Sequence, residues 1–226
     1  MIASALVAAF FDMDGTLFRS TILHHYALVA TYRMPSWRRA LWTGAFLPWV
    51  PYFWLLDRLD RGRMNRAFYR RYRGRGVGPA RRAVREAWGS FWAPRLVGPS
   101  VRRLQEHQAA GHRTVLVTGS PEFVAQAVAE RLEIGTVLAA RLEEHGGRFT
   151  GRLLGSPLSG EAKAQAVWQL ARQEGIDLSR SYAYGDSVAD LAMLELVGHP
   201  VAVSPSRRLR KIAQVRGWPI LEANGE

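Results

Sequence analysis

The 226-residue chain contains no cysteine. That excludes a disulfide framework, a cysteine-ligated zinc centre and a thiol nucleophile. Lysine is almost as scarce, with Lys163 and Lys211 standing against 29 arginines. Internal repeats and low-complexity tracts are absent, and so is an apolar run of the roughly 20 residues that a membrane-spanning helix needs. The best candidate, residues 41–56, has sixteen uncharged residues and is interrupted by Pro48 and Pro51. The N-terminus has no basic stretch before its first apolar run and reaches two acids by Asp14, so it does not read as a secretory signal, and a cytoplasmic product is expected.

What remains is 48% hydrophobic, enough for one full core. Residues 2–11 carry no charge and read as a strand buried on both faces of a parallel sheet. This strand ends in Asp12-Met13-Asp14-Gly15-Thr16, and in open α/β sheets ligands bind beyond the carboxyl ends of strands. Residues two apart on a strand point the same way, so Asp12 and Asp14 can converge on one ligand, with Gly15 allowing a sharp turn behind them. Two carboxylates that close repel each other and are best tolerated beside a cation.

Three later clusters have complementary chemistry. Val115-Leu116-Val117 leads into Thr118-Gly119-Ser120-Pro121, a strand followed by a hydroxyl and glycine turn before a helix from about Pro121. The backbone N–H groups of Gly119 and Ser120 and the Thr118 hydroxyl suit an anion, while Ser120 also reads as the N-cap. Lys163 opens a helical stretch in Gly160-Glu161-Ala162-Lys163, and its survival in an arginine-biased chain points to a task for a compact ammonium. Tyr182-Ala183-Tyr184-Gly185-Asp186 is a strand ending in glycine and aspartate, with Asp190 one helical turn further on. Asp186 as an N-cap with Asp190 in the first turn is the alternative structural reading.

In this order the four clusters resemble motifs one to four of the haloacid dehalogenase superfamily, and the resemblance extends from Ala8 to about Asp190. Three further features are similar to subfamily IB, which includes phosphoserine phosphatase: residues 149–152 after the turn Gly146-Gly147, the Gly-Glu-Ala-Lys lead, and residues 198–203. The resemblance implies an α/β fold, a Rossmann-like parallel-sheet core at 1–18 and 96–226, with an all-helical cap inserted at 19–95. It implies a Mg²⁺-dependent phosphomonoester hydrolase in which Asp12 is the nucleophile and Asp14 the general acid and base. Thr118, Gly119 and Lys163 then gather the phosphate oxygens. Asp12, Asp186 and the Asp14 main-chain carbonyl hold Mg²⁺, and Asp190 orients the metal site from behind.

The candidate cap holds all the excess charge. Residues 19–95 contain sixteen arginines against Asp57, Asp60 and Glu86, a net of +13, whereas the rest of the chain is at −1. Helical patterns at 21–32, 37–46, 52–61, 64–73 and 79–92 fill it, followed by Gly98-Pro99 and a helix over 100–110. A basic lid attracts anionic esters, so the favoured partner is a small-molecule phosphate ester. Arginines interleaved with aromatics at 66–73 also fit a nucleic-acid surface, but no nucleic-acid-binding module accompanies them. The tryptophans of 41–56 are expected to pack inside the cap. The alternative is peripheral contact with an anionic membrane, which would make a lipid phosphate the substrate. Phosphoserine is disfavoured, because phosphoserine phosphatases carry a cap glutamate soon after the first motif and residues 18–25 contain no acid. His24 and His25 read as partly buried helix residues. The oligomeric state is open.

Overall fold

The computed structural model describes residues 6–59 and 61–223, without the side chains of Trp54, of 56–59, of Arg61 or of Arg63. Seven strands form one sheet in the order β4-β3-β2-β1-β5-β6-β7. They are β1 Ala8–Phe11, β2 Arg113–Pro121, β3 Thr136–His145, β4 Arg148–Leu154, β5 Tyr182–Gly185, β6 His199–Val203 and β7 Ile220–Leu221. All neighbours are parallel except β3 and β4, which are antiparallel and joined at Gly146-Gly147. The haloacid dehalogenase-type α/β expectation is met.

Among the described residues six α-helices lie between β1 and β2, the first five being α1 Ile22–Ala30, α2 Ser36–Phe46, α3 Trp49–Leu59, α4 Arg61–Tyr69 and α5 Val77–Glu86. A π turn over Trp88–Trp92 and a 3₁₀ turn over Ala93–Arg95 lead to α6 Gly98–Ala109. The remaining helices are α7 Glu122–Leu132, α8 Glu161–Glu174, α9 Leu191–Glu195 and α10 Arg207–Arg216.

Several boundaries differ from the sequence reading. Only Ala8–Phe11 of the expected strand at 2–11 is assigned to β1, and residues 1–5 lie outside the described residues. Pro51 does not break the chain's helix: it sits in the first turn of α3, where its missing N–H leaves no helical bond unmade, and only Pro48 separates α2 from α3. The stretch expected at 79–92 splits after Glu86, where the backbone widens into the π turn.

Period-two alternation on β1 feeds two buried clusters. Ala9 and Phe11 face a cluster that runs continuously into the inserted helices through Phe18, Tyr26, Phe68, Tyr72 and Trp92. Ala8 and Phe10 face the other, built with Val115, Val117, Val167 and Leu209. Because β1 is flanked by β2 on one side and β5 on the other, the chain leaves it in opposite directions, and the crevice at its carboxyl end is the topological switch point.

Candidate active site

Asp12 follows directly on β1, and its N–H donates to the Tyr184 carbonyl of β5 at 3.0 Å. Its carboxylate is buried and accepts from Lys163 Nζ at 2.5 Å. The same ammonium donates to Asp190 Oδ1 at 2.6 Å. Lys163 reaches both because Glu161–Glu174 starts at a loop tied to the fourth motif, where Gly160 N donates to the Ala189 carbonyl at 2.9 Å. The second oxygen of Asp190 accepts from Asp186 N, Ser187 N and Ser187 Oγ at 3.2–3.3 Å. Asp190 is therefore held on both sides. The N-cap of this short turn is Ser187, closing a capping box with Asp190, and not Asp186 as the alternative reading had it.

Burial raises the Asp12 pKa to about 7, despite the Lys163 charge beside it, and the carboxylates of Asp190 and Asp14 add to the rise. Burial disfavours the Lys163 charge, but Asp12 and Asp190 outweigh it and keep the ammonium protonated. One cation thus serves two buried carboxylates.

Asp186 completes a triad. Single carboxylate oxygens of Asp12, Asp186 and Asp190 lie within 4.8 Å of one another. The donors are all hard oxygens, and one lysine leaves them with excess negative charge, so the set fits Mg²⁺. Gly15 is required here: its φ of +92° belongs to the left-handed region, and a Cβ at this position would fall against the Asp186 carboxylate.

Asp14 is arranged differently. Its carboxylate accepts from Ser20 Oγ and Ser120 Oγ, both at 2.6 Å, and faces His25 Nε2 at 3.2 Å. Burial alone would raise its pKa, but His25 and the two hydroxyls hold it well below the usual carboxylate range. His25 is fully buried, and its Nδ1 lies 3.2 Å from Ser120 Oγ. Ser120 is therefore not the N-cap that the sequence suggested. The extended strand continues through Pro121, which takes the N-cap position without a side-chain bond, and the Ser120 hydroxyl turns to Asp14. Sequence reasoning missed His25, Ser20 and Ser120 as partners of Asp14.

Thr118 is buried at the same strand end, and its Oγ1 accepts from Ser120 N at 3.0 Å. Gly119 lies beside Asn65 of α4, whose Nδ2 would be 3.2 Å from a Cβ at this position, and the Tyr69 hydroxyl donates to its carbonyl. Asp12, Asp14, Thr118, Gly119, Lys163 and Asp186 all line one cavity of about 400 Å³. Asp190 stands behind it. The far wall comes from the inserted helices and the Leu158 loop, with Ile22, Leu23, Val50, Phe53 and Met64. Among the described residues that line it, the acids are Asp12, Asp14 and Asp186.

The family model of haloacid dehalogenase-like hydrolases matches residues 9–195. A probable phosphatase of Mycobacterium tuberculosis strain H37Rv is 34% identical over 222 residues, covering 96% of this chain and 75% of the relative. A phosphoserine phosphatase of the same strain is 35% identical over 219 residues, covering 94% and 70%. Among solved structures, a protein of unknown function from Bordetella pertussis Tohama I superposes with a TM-score of 0.80 at 28% identity, covering 96% of this chain and 99% of that one. The match over most of the chain, together with the strand order, makes the chain a member of the haloacid dehalogenase-like hydrolase family, on the phosphatase branch where those relatives stand.

Proposed function

We propose that this chain is a Mg²⁺-dependent phosphomonoester hydrolase working through an aspartyl-phosphate on Asp12, with residues 19–95 serving as its cap. The observation that carries the reading is the buried Asp12–Lys163 contact on the floor of the cavity that Asp14 and Thr118 also line. Uncatalysed phosphate monoester hydrolysis is extremely slow, so nucleophile, charge neutralisation and proton transfer are all needed.

An Asp12 oxygen attacks phosphorus as the bond to the leaving alkoxide breaks, and Asp14 delivers a proton to that alkoxide. Asp14 then takes a proton from the water that attacks phosphorus, and the bond to Asp12 opens with release of phosphate. The donors around Asp14 favour its base form, and the proton it takes from the water is the one it delivers to the next leaving alkoxide. Lys163, Thr118 Oγ1 and the Gly119 N–H gather the phosphoryl oxygens as charge develops on them. Asp12, Asp186 and the Asp14 carbonyl are the groups to hold Mg²⁺, with Asp190 fixing Lys163 behind them. When bound, the ion supplies charge neutralisation at the transferring phosphoryl group.

The apolar far wall favours an alcohol portion without a positive charge, because a substrate ammonium finds no carboxylate there beyond the reacting groups. That wall weighs against phosphoserine, which one relative's name would suggest. It suits a small phosphate ester with an uncharged alcohol portion, and it suits a lipid phosphate as the second reading. A panel of esters with and without Mg²⁺ tests this: aryl phosphates and esters of neutral alcohols should turn over only with the metal, phosphoserine at least about tenfold less efficiently by kcat/KM. Phosphoserine as the best substrate would overturn the leaving-group assignment, and turnover of none of them would overturn the phosphatase reading itself.

A further inference from the structure

Among the described residues, ten large apolar side chains stand exposed, and six of them fall between positions 37 and 55: Trp37, Leu41, Leu47, Trp49, Tyr52 and Leu55. Scattered singly such residues need no explanation, but this concentration on two consecutive helices does. α2 buries no residue at all. Its inner side offers Trp42 and Phe46, half-buried against Tyr26 at ring separations of 5.9 and 5.8 Å. Trp37 and Leu41, one helical turn apart on a different side, are 61% and 67% exposed. In α3 the inner side gives Val50 and Phe53 to the cavity, while Trp49, Tyr52 and Leu55, spaced three apart, are about half exposed. The expectation that the tryptophans of 41–56 pack inside the cap is thus met only in part by Trp42 and not by Trp49. The side chain of Trp54 lies outside the described residues.

The charge of this segment says what covers it. From Arg19 to Leu56 there is no acid, and Arg38 and Arg39 stand exposed on α2 among the apolar residues, with Arg38 against the Trp37 ring. A further arginine, Arg71, lies over the rings of Trp49, Phe53 and Phe46 and fixes the two helices to each other. Exposed tryptophan and leucine on short helices flanked by arginine suit the boundary of an anionic bilayer, where rings sit at headgroup level and guanidinium groups meet phosphate. A second copy fits less well, since a two-fold contact sets the same acid-free basic surface against itself. No helix among the described residues is long and apolar enough to cross a membrane, so the contact is peripheral.

We infer that the consecutive helices α2 and α3, through Trp37, Leu41, Leu47, Trp49, Tyr52 and Leu55 with Arg38 and Arg39, dock this protein onto an anionic lipid bilayer. Docking stands apart from catalysis, and its test reads binding alone. Flotation of the full chain with vesicles of phosphatidylcholine, with and without phosphatidylglycerol, measures it. Anionic vesicles should bind at least about tenfold more tightly than neutral ones, with a blue shift of tryptophan emission, and salt should weaken them. Trp37→Ser with Leu41→Ser should lose about tenfold or more of that affinity, as should Arg38→Glu with Arg39→Glu, at unchanged hydrolysis of an aryl phosphate in the absence of lipid. Equal flotation with neutral and anionic vesicles, undiminished binding by the variants, or no binding at all would overturn the proposal. Concentration-dependent dimerisation abolished by Trp37→Ser with Leu41→Ser would overturn it in favour of a second copy.

Discussion

The floor and the far wall of the cavity are built on opposite principles. On the floor, polar side chains are buried and tied to one another: Lys163 bridges Asp12 and Asp190, and Ser20, Ser120 and His25 surround Asp14. The wall is mostly apolar, with Thr21 and Asn65 among its polar members, drawn from helices inserted between two neighbouring strands, and its outer side remains exposed. Buried charges must be paired and hydrogen-bonded, which fixes their geometry, whereas an apolar wall is constrained by shape alone. On the proposed function, the chemistry resides in the strand ends and the choice of alcohol in the helices.

The largest effect that sharpens this contrast is expected at the nucleophile. Asp12→Asn keeps the side-chain shape and removes the anion, so aryl phosphate turnover should fall by about three orders of magnitude or more while the protein stays folded. Melting followed alongside the kinetics separates the two. Retained turnover would place the nucleophile elsewhere.

Lys163→Arg should come next, costing about 100-fold in kcat despite preserving charge, because a planar guanidinium cannot occupy the buried place of an ammonium between two carboxylates. Lys163→Met should in addition destabilise the fold by about 3–5 kcal/mol, since it leaves buried carboxylates without their cation. An Arg variant as active as the parent would contradict the assigned role.

A pH dependence of stability follows from Asp12. Its folded pKa is raised to about 7, so the protonated form is favoured in the metal-free protein at low pH. That contribution is complete below the unfolded value and is lost as pH rises through about 7. Metal-free protein should accordingly lose melting temperature between about pH 5 and 8, by about 2–4 °C for each kcal/mol involved, and Mg²⁺ should raise it more at pH 8 than at pH 5. Asp186→Asn should weaken that Mg²⁺ effect. A metal-free Tm that rises over this range in the parent and is unchanged in Asp12→Asn would break the account of the floor.

The smallest effect is expected on the wall. Val50→Thr places a hydroxyl into the apolar surface and should shift preference between apolar and polar alcohol portions by about tenfold or less, with aryl phosphate kcat nearly unchanged. A comparable loss for every substrate would mean that the wall takes part in the chemistry.

The same contrast governs what could be read from sequence. Asp12, Asp14, Thr118, Lys163 and Asp186 were legible because strand ends concentrate short-range signals, an apolar run followed by glycine and a polar group, and because a lysine is conspicuous among arginines. The partners of Asp14 were not. Ser20 and His25 come from the start of the inserted helices and Ser120 from a strand 106 residues away from Asp14, and nothing local marks their convergence. Ser120 also looked like an ordinary cap, a role its hydroxyl gives up for Asp14. The α2–α3 segment was misread for a different reason. Apolar residues on two sides of a helix suggest deep burial, yet α2 has a partner on only one of them.

The central claim, a phosphoryl group passing through Asp12, is tested most directly by trapping it. An aryl leaving group needs no protonation, so Asp14→Asn should still be phosphorylated but fail to activate water, and the intermediate should accumulate. Intact-mass spectrometry of this variant after rapid quenching with an aryl phosphate and Mg²⁺ should show one added phosphoryl group, mapped by borohydride reduction and peptide sequencing to Asp12. A burst of released aryl alcohol with Asp12 unmodified, or with the phosphoryl group on another residue, would contradict the account.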